Sequence, residues 1–226
     1  KEVDASQFDF GARIDSVERN GSITMHNEDE DEDGHEEHEE EHEEEHEEEV
    51  TSHSYDTDMT SLAASISRDL SDSLTLSAGA AFVSRAPSSS ELFMNGPHLA
   101  TGRYEVGNPN LDYETHRNFD LSLNYAANGF FGSFTFFSNS VDNYIYLQDE
   151  TEEEHEEQEE EHEDHGGLVK AEFSQNDADF NGYELEIGKT FDLSAGSLTL
   201  AFARDSVVGE LSDGSDVPRI CLLYTS

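Results

Sequence analysis

The sequence predicts an all-β protein: an antiparallel transmembrane β-barrel fragment of about seven strands with long extracellular loops. Three observations support this fold class. Apolar and polar residues alternate along most of the chain, the connections are long and short in turn, and aromatic residues lie near the ends of the apolar faces. No stretch approaches the roughly 18–20 consecutive apolar residues of a spanning helix, which excludes helical membrane proteins.

The alternating segments define the predicted strands. Leu74, Leu76 and Ala78, for example, alternate with Thr75 and Ser77. Such a pattern gives each strand one apolar and one polar face, as in a wall between lipid and a wet lumen. The predicted strands lie near residues 3–18, 55–68, 73–85, 115–126, 130–147, 178–190 and 197–207.

The lengths of the connections favour a barrel over a soluble β-sandwich. In an antiparallel array every second connection emerges on the same side, so the long loops should share one end and the tight turns the other. A sandwich gives no reason for this segregation. The predicted long loops are 21–54, 85–114 and 148–176, and the predicted turns lie near 69–72, 127–129 and 192–196.

The charge is concentrated in two runs. The net charge is −43, and of the 54 acidic residues 17 lie in residues 28–49 and 12 in residues 149–164. This balance excludes a nucleic-acid partner held by charge, because binding to phosphates requires a basic surface. The runs are interpreted as acidic, His/Glu-rich inserts in the loops 21–54 and 148–176, since the rest of the chain is patterned.

The loop at 85–114 carries motifs that occur together in a known family. The motifs are Ser84-Arg85-Ala86-Pro87, Glu91-Leu92-Phe93, and Tyr104-Glu105-Val106-Gly107-Asn108, followed by Leu111, Glu114 and Asn118. In order and spacing they resemble the TonB-dependent outer-membrane receptors. We interpret these residues as structural, tying the loop to the barrel wall.

A finer resemblance is to the zinc-uptake branch of that family. It rests on Gly96-Pro97-His98-Leu99-Ala100-Thr101, on Val217-Pro218-Arg219-Ile220 and on the His-rich loops. The resemblance implies a 22-stranded barrel in the outer membrane of a Gram-negative bacterium, in contact with outer-membrane lipid. It also implies an N-terminal plug that is energised by the TonB complex. Residues 1–220 would be part of the barrel, and the plug is missing from them.

The last six residues, 221–226, resemble the translation of a transposon-end sequencing adapter. We therefore expect the native chain to continue differently after Ile220. Cys221, the only cysteine, falls in this segment, so neither a disulfide framework nor a cysteine zinc site is expected.

Seven histidines within or directly next to the acidic runs are candidate metal ligands. Imidazole suits Zn²⁺, Cu²⁺ and Ni²⁺, whereas carboxylates alone suit Ca²⁺ or Mg²⁺. The alternative is an acidic loop that is merely solvated. Sites formed there should be several, exchangeable and of moderate affinity, because ordering the loop costs entropy. The seven residues are His35, His38, His42, His46, His155, His162 and His165.

His98 differs from these because Gly96 and Pro97 precede it rather than glutamates. On the resemblance it is the candidate ligand of an ordered transport site, and the alternative is a histidine hydrogen-bonded for structure. His26 and His53 are interpreted as incidental and His116 as structural.

The predicted function is capture and import of a divalent metal, most of all zinc, as the transported ligand. No catalytic motif or catalytic cofactor is recognised, so the protein is not expected to be an enzyme. Copper, nickel or a metal-chelate or siderophore remain alternative substrates. An alternative of another class is a non-transporting acidic β protein that buffers metal or calcium.

Overall fold

The computed structural model describes residues 6–26, 48–151 and 167–218, and this part of the chain forms nine strands and one short helix. No helix in these residues is long and apolar enough to cross a membrane. In chain order the elements are β1 (Ser6–His26), β2 (Glu48–Ser71), β3 (Leu74–Arg85), α1 (Ser89–Phe93), β4 (Asn95–His98), β5 (Arg103–Val106), β6 (Glu114–Ala127), β7 (Phe130–Asp149), β8 (Val169–Leu193) and β9 (Gly196–Leu211).

The seven long strands form one antiparallel wall in the order β1-β2-β3-β6-β7-β8-β9. β5 also pairs in parallel with the first residues of β8, and β4 pairs with β5. Among the described strands, β1 and β9 do not pair with each other, so the wall is open. The predicted all-β antiparallel fold is confirmed.

The register aligns the apolar residues of neighbouring strands on one face. One row across four strands consists of Ala78, Leu121, Phe136 and Tyr183, each directly opposite the next. Many large side chains of this face are exposed: Leu121 and Phe136 are 40% exposed, and Phe10 on β1 is 81% exposed. A continuous exposed apolar face of this extent requires an apolar surrounding, which a lipid bilayer provides.

The opposite face of the wall is mainly polar. Hydroxyl groups face each other across neighbouring strands at 2.9 Å, in the pairs Ser67–Ser77, Ser122–Thr135 and Thr190–Thr199. On the same face the ring of Phe137 covers Gly182, its cross-strand partner. This face suits a wet lumen.

The tight turns lie at one end of the wall and the long connections at the other. The turn between β6 and β7 is Asn128-Gly129, with φ values of 52° and 80°, which suit the hairpin turns that asparagine and glycine favour. At the opposite end, His26 pairs with Glu48 and Asp149 pairs with Ala171. The strand ends that flank both acidic runs therefore share an end with the connection between β3 and β6.

Apart from residues 48, 49 and 149–151, the acidic runs lie outside the described residues, as does the end of the chain. The segments concerned are 27–47, 152–166 and 219–226, and the last includes the suspected adapter segment 221–226. Their predicted roles remain predictions.

The strands extend further than the sequence predicts. β2 begins at Glu48 rather than near 55, and β8 begins at Val169 rather than near 178, so parts of the predicted loops are strand. Beyond the apolar band both faces of a strand meet water, so the sequence there no longer alternates between apolar and polar residues. The backbone nevertheless continues to pair as a strand. The two further strands, β4 and β5, lie inside the predicted loop 85–114 together with α1.

The chain reverses tightly after β9, at the end where the sequence predicts long loops. The Leu211 amide donates to the Ser215 carbonyl oxygen at 2.8 Å, and the Val217 amide donates to the Gly209 carbonyl oxygen at 3.2 Å. Val217 and Leu211 are buried in a cluster with Ala178 that includes Tyr144, Tyr146 and Phe180. The short connection therefore extends the wall's packing beyond β9.

We expect Gly182→Ala to lower the free energy of unfolding of the complete protein by about 1–3 kcal/mol, because overpacking strains a tight contact. A Cβ at Gly182 would meet the Phe137 ring and lie 2.5 Å from the Ser206 carbonyl oxygen. Gly11→Ala is the matched control on the same face, since nothing lies within 4 Å of its Cβ. Urea unfolding of the refolded proteins measures both, and equal effects of the two substitutions would contradict the packing argument.

Candidate metal-binding site

The segment between β3 and β6 lies between two hairpins, β1–β2 and β7–β8. The ring of Phe93 lies against Gly21 on β1. Leu92 is fully buried with Leu111 and Ile145, and Tyr55 of β2 and Phe173 of β8 pack against them. This small core holds an otherwise irregular connection in one place, so side chains on it have defined positions.

A network of charged groups fixes the two ends of this segment. Arg85 at the end of β3 is paired across the sheet with Glu114 at the start of β6, and its Nε donates to Glu114 Oε2 at 2.5 Å. Its Nη1 and Nη2 donate to the Glu91 carboxylate at 2.9–3.2 Å. Glu91 also accepts the Ser88 backbone amide at 2.6 Å, which completes a capping box for α1.

Glu114 is the most buried member of the network, at 2% exposure, and it lies beyond Phe82, above the apolar band. His116 Nε2 lies 2.9 Å from its Oε2, and the Ile145 amide donates to its Oε1 at 2.7 Å. Burial alone would raise the pKa of Glu114, but the hydrogen bonds from Arg85, His116 and Ile145 outweigh it and lower the pKa to about 2. His116 thus makes a hydrogen bond within the wall.

The predicted ligand His98 lies at the end of β4, in a hairpin that extends the sheet beside β8. β5 pairs in parallel with Val169–Glu172, the residues that follow the second acidic run. The β4–β5 hairpin therefore lies beside Val169, which follows the run. Asp149, at the start of the run, pairs with Ala171 in the same part of the sheet. The ordered imidazole is built next to the base of a His/Glu-rich segment.

The ring of His98 is oriented by a buried carboxylate. His98 Nδ1 lies 2.8 Å from Glu105 Oε1, and the Thr101 hydroxyl donates to the same oxygen at 3.1 Å. Glu105 is 8% exposed, whereas the His98 side chain is 48% exposed. Because an ionised carboxylate only accepts hydrogen bonds, the proton belongs on Nδ1, and the lone pair of Nε2 is then available to a ligand. A carboxylate partner of this kind commonly orients metal-binding histidines.

The residue opposite the carboxylate is a glycine with open space where a Cβ would lie. Gly96 pairs with Glu105 across the β4–β5 hairpin, and nothing lies within 4 Å of a Cβ placed on it. His98 and Glu105 therefore meet diagonally on one face without a competing side chain.

Arg103 lies directly opposite His98 in the hairpin, but its guanidinium group is bound elsewhere. Its Nε and Nη2 donate to the two carboxylate oxygens of Asp149 at 2.6 and 2.8 Å, and its Nη1 donates to the Thr101 carbonyl oxygen at 2.8 Å. The hydrogen bond to Asp149 raises the pKa of Arg103.

Of the predicted metal ligands, only His98 lies in the described residues. The others, His35, His38, His42, His46, His155, His162 and His165, fall in residues 27–47 and 152–166. In the described ranges, no group of three or more His, Cys, Asp or Glu side chains is arranged to hold a metal ion. A complete coordination shell at His98 would therefore need ligands from beyond these residues.

Sequence reasoning did not identify the groups that orient His98. Glu105 belongs to a motif that is interpreted as structural, and Thr101 enters only with the segment 96–101 that carries the finer resemblance. No role is predicted for Arg103 or Asp149. The spacing of His98 and Glu105 becomes informative only once residues 99–102 are known to form a turn, because the two side chains then share a face.

Comparison with known proteins gives one family and several similar folds. A family model described as TonB dependent receptor-like, beta-barrel matches residues 3–220. The copper transporter OprC is 16% identical with a TM-score of 0.63, over 94% of this chain and 29% of OprC. A double mutant of the Serratia marcescens hemophore receptor HasR, in complex with its hemophore HasA and heme, is 14% identical with a TM-score of 0.52, over 90% of this chain and 38% of HasR. The chain thus spans less than two fifths of either protein, and the similarity is one of fold.

We expect Glu114→Gln to lower the free energy of unfolding at pH 7 by about 3 kcal/mol, because one partner of a buried ion pair is lost. Because the pKa of Glu114 is lowered in the folded state, its ionised form stabilises the fold at pH values above about 4.5. This stabilisation disappears as the pH falls from about 4.5 towards about 2. Unfolding measured across this range should therefore be less acid-sensitive in the variant.

The matched control is Asp142→Asn, which removes the carboxylate from an exposed pair with Arg117. Solvent screening makes such pairs weak, so this variant should retain nearly the wild-type stability. Equal losses in the two variants would contradict the importance assigned to burial.

Proposed function

The chain belongs to the family of TonB-dependent receptor β-barrels, and from this premise we propose that the protein captures and imports a divalent metal ion, with zinc as the first candidate. Members of this family are transporters rather than enzymes and lie in the outer membrane of Gram-negative bacteria. The apolar exposed face of the wall fits contact with outer-membrane lipid. Coupling to the TonB complex, through a plug domain, is part of the same proposal.

The observation that carries the choice of a metal is the oriented imidazole of His98. Its Nδ1 faces the buried Glu105 carboxylate, and its half-exposed ring leaves Nε2 accessible. An imidazole held in this way is a preorganised ligand for zinc or a similar ion. We propose that histidines of the adjacent acidic runs supply metal to this site. Further ligands would come from these runs or from other parts of the complete receptor.

The two acidic runs are proposed to concentrate the ion. Their carboxylates create a negative field that raises the local concentration of dications, and their seven histidines offer exchangeable ligands. The strand ends that bear both runs lie at the end of the wall where the His98 hairpin also lies. An ion held weakly there would be released a short distance from an ordered ligand.

Copper is the second candidate, since OprC is a copper transporter and Cu²⁺ binds imidazole and carboxylate more tightly than Zn²⁺ does. Nickel and metal chelates come next. Uptake of radioactive zinc in competition with an excess of each metal separates these substrates. The non-transporting metal or calcium buffer is disfavoured, because it leaves the family membership without a role.

We expect deletion of residues 28–47 and 152–165 from the complete receptor to weaken uptake mainly when zinc is scarce. Glu48 and Asp149 are retained because they pair in β2 and β7. Weak sites raise the local zinc concentration, which matters little once bulk zinc is ample. His98→Ala should instead reduce uptake by about tenfold or more at both concentrations, since an under-coordinated site binds poorly.

Radioactive zinc uptake by cells carrying each variant measures both effects. His53→Ala is the control, as it removes an imidazole from β2 outside the proposed site. The assigned roles are wrong if the loop deletion abolishes uptake at every concentration while His98→Ala has no effect.

Lowering the pH should reduce zinc binding by the acidic runs at a pH above that at which the carboxylates become protonated. An imidazole with an ordinary pKa of about 6.5 loses its metal-binding lone pair when protonated, so zinc bound by the runs should fall below about pH 6. The measurement is zinc bound by the intact receptor minus zinc bound by the loop deletion, as a function of pH. A decline only near pH 4 would instead assign capture to the glutamates.

A further inference from the structure

Four short stretches of strand present one charged face beside His98. In the order β4, β5, β8, β7, the register places Gly96 opposite Glu105, Glu105 beside Ala171, and Ala171 opposite Asp149. Residues paired in this way share a face of the sheet. Two carboxylates, Glu105 and Asp149, thus flank a fully buried alanine from opposite sides.

Arg103 can reach either carboxylate. It lies two residues before Glu105 on β5, on the same face, and directly opposite His98. Glu105 also contributes to the raised pKa of Arg103, after Asp149. The guanidinium group nevertheless makes both of its carboxylate hydrogen bonds to Asp149, and Glu105 Oε1 is left to His98 and Thr101.

We propose that Asp149 is a positioning residue for the His98 site: by holding Arg103 in a bidentate ion pair, it keeps Glu105 free to orient the His98 imidazole. The metal measurement in this inference rests on the proposed function. The inference deepens that function, because it identifies the ion pair that controls the orientation of His98. Asp149 does not bind the metal in this account.

Loss of Asp149 has two linked consequences. Arg103 exchanges partners and binds Glu105, so the hydrogen bond that fixes the His98 tautomer is lost. The guanidinium charge then also lies beside the metal position. A divalent ion and a guanidinium group separated by roughly 7 Å, in a medium with the dielectric constant of water, repel enough to weaken affinity about tenfold.

The test is a double-mutant cycle in the complete receptor with residues 28–47 and 152–165 deleted, which removes the acidic runs and retains Asp149. The variants are Asp149→Asn, Arg103→Gln and the two combined. Each is also made with His98→Ala, and the difference in bound zinc gives the His98-dependent part. Zn²⁺ alone is the probe, in equilibrium binding at low salt.

We expect Asp149→Asn to weaken His98-dependent zinc binding about tenfold, while Arg103→Gln leaves it within about threefold of the parent. The combined variant should return close to the parent, because no guanidinium group is left to compete for Glu105. A merely structural role of the ion pair predicts the opposite, with the combined variant at least as impaired as either single one.

A metal-free readout separates this inference from the proposed function. Nitrogen-15 spectra of labelled histidine distinguish a ring protonated at Nδ1 from one protonated at Nε2. The His98 signal, identified by its absence in His98→Ala, should show the Nδ1–H form in the parent and in the combined variant, and a mixture in Asp149→Asn.

The outcomes are distinguishable. A tautomer change that the combined variant reverses, with no His98-dependent zinc binding in any variant, supports the positioning role and overturns zinc binding at His98. Zinc binding and a tautomer that are both unaffected by Asp149→Asn overturn the inference and leave the proposed function standing. Loss in Asp149→Asn that the combined variant fails to restore also overturns it.

Discussion

Backbone amides and carbonyls inside a bilayer have no water to bond to, so each must find a partner within the protein. In this chain the partners come from neighbouring antiparallel strands, whose registers are continuous through most of the wall. Once the register is fixed, side chains alternate between the two faces without further choice. The apolar rows on one face and the hydroxyl pairs on the other are consequences of this pairing, and a slip of one residue would exchange them.

Above the apolar band the same requirement is met by side chains. β7 shifts register against β8 between Val141 and Tyr144, and Asn143 there has a φ of 57°. The amide of Ile145 is bonded by Glu114, and that of Asn143 by Asp177 at 3.0 Å. Carboxylates thus replace the strand ladder where it is interrupted. The buried Glu114 can do this because Arg85 offsets its charge, and the same arginine holds Glu91 and with it the helix α1.

The sequence predicts the parts of this structure that depend on interactions between residues close in the chain. The Asn128-Gly129 turn and the alternation around Leu74–Ala78 depend on residues close in the chain, and both predictions agree with the structure. The pairing of β5 with β8 joins Arg103 to Val169, 66 positions apart, and no local pattern encodes it. The sequence predicts loops for the upper parts of β2 and β8, because polar residues on both faces remove the periodic signal there. His98 was identified by resemblance, whereas its partner Glu105 required knowledge of the hairpin.

The placement of the His98 hairpin explains why an ordered ligand and acidic runs can coexist in one region. The first run, residues 28–49, contains 17 carboxylates, whose like charges repel one another. The hairpin obtains its rigidity elsewhere: from four backbone pairs to β8, and from the connection of α1 to Gly107 and Asn108, whose amides donate to Met94 and Glu91 carbonyl oxygens at 2.6 and 2.8 Å. These contacts do not involve the runs. On the proposed function, changes in residues 28–47 and 152–165 would therefore alter how much metal is gathered, whereas the geometry of the His98 imidazole would depend on the hairpin and on the Arg103–Asp149 pair.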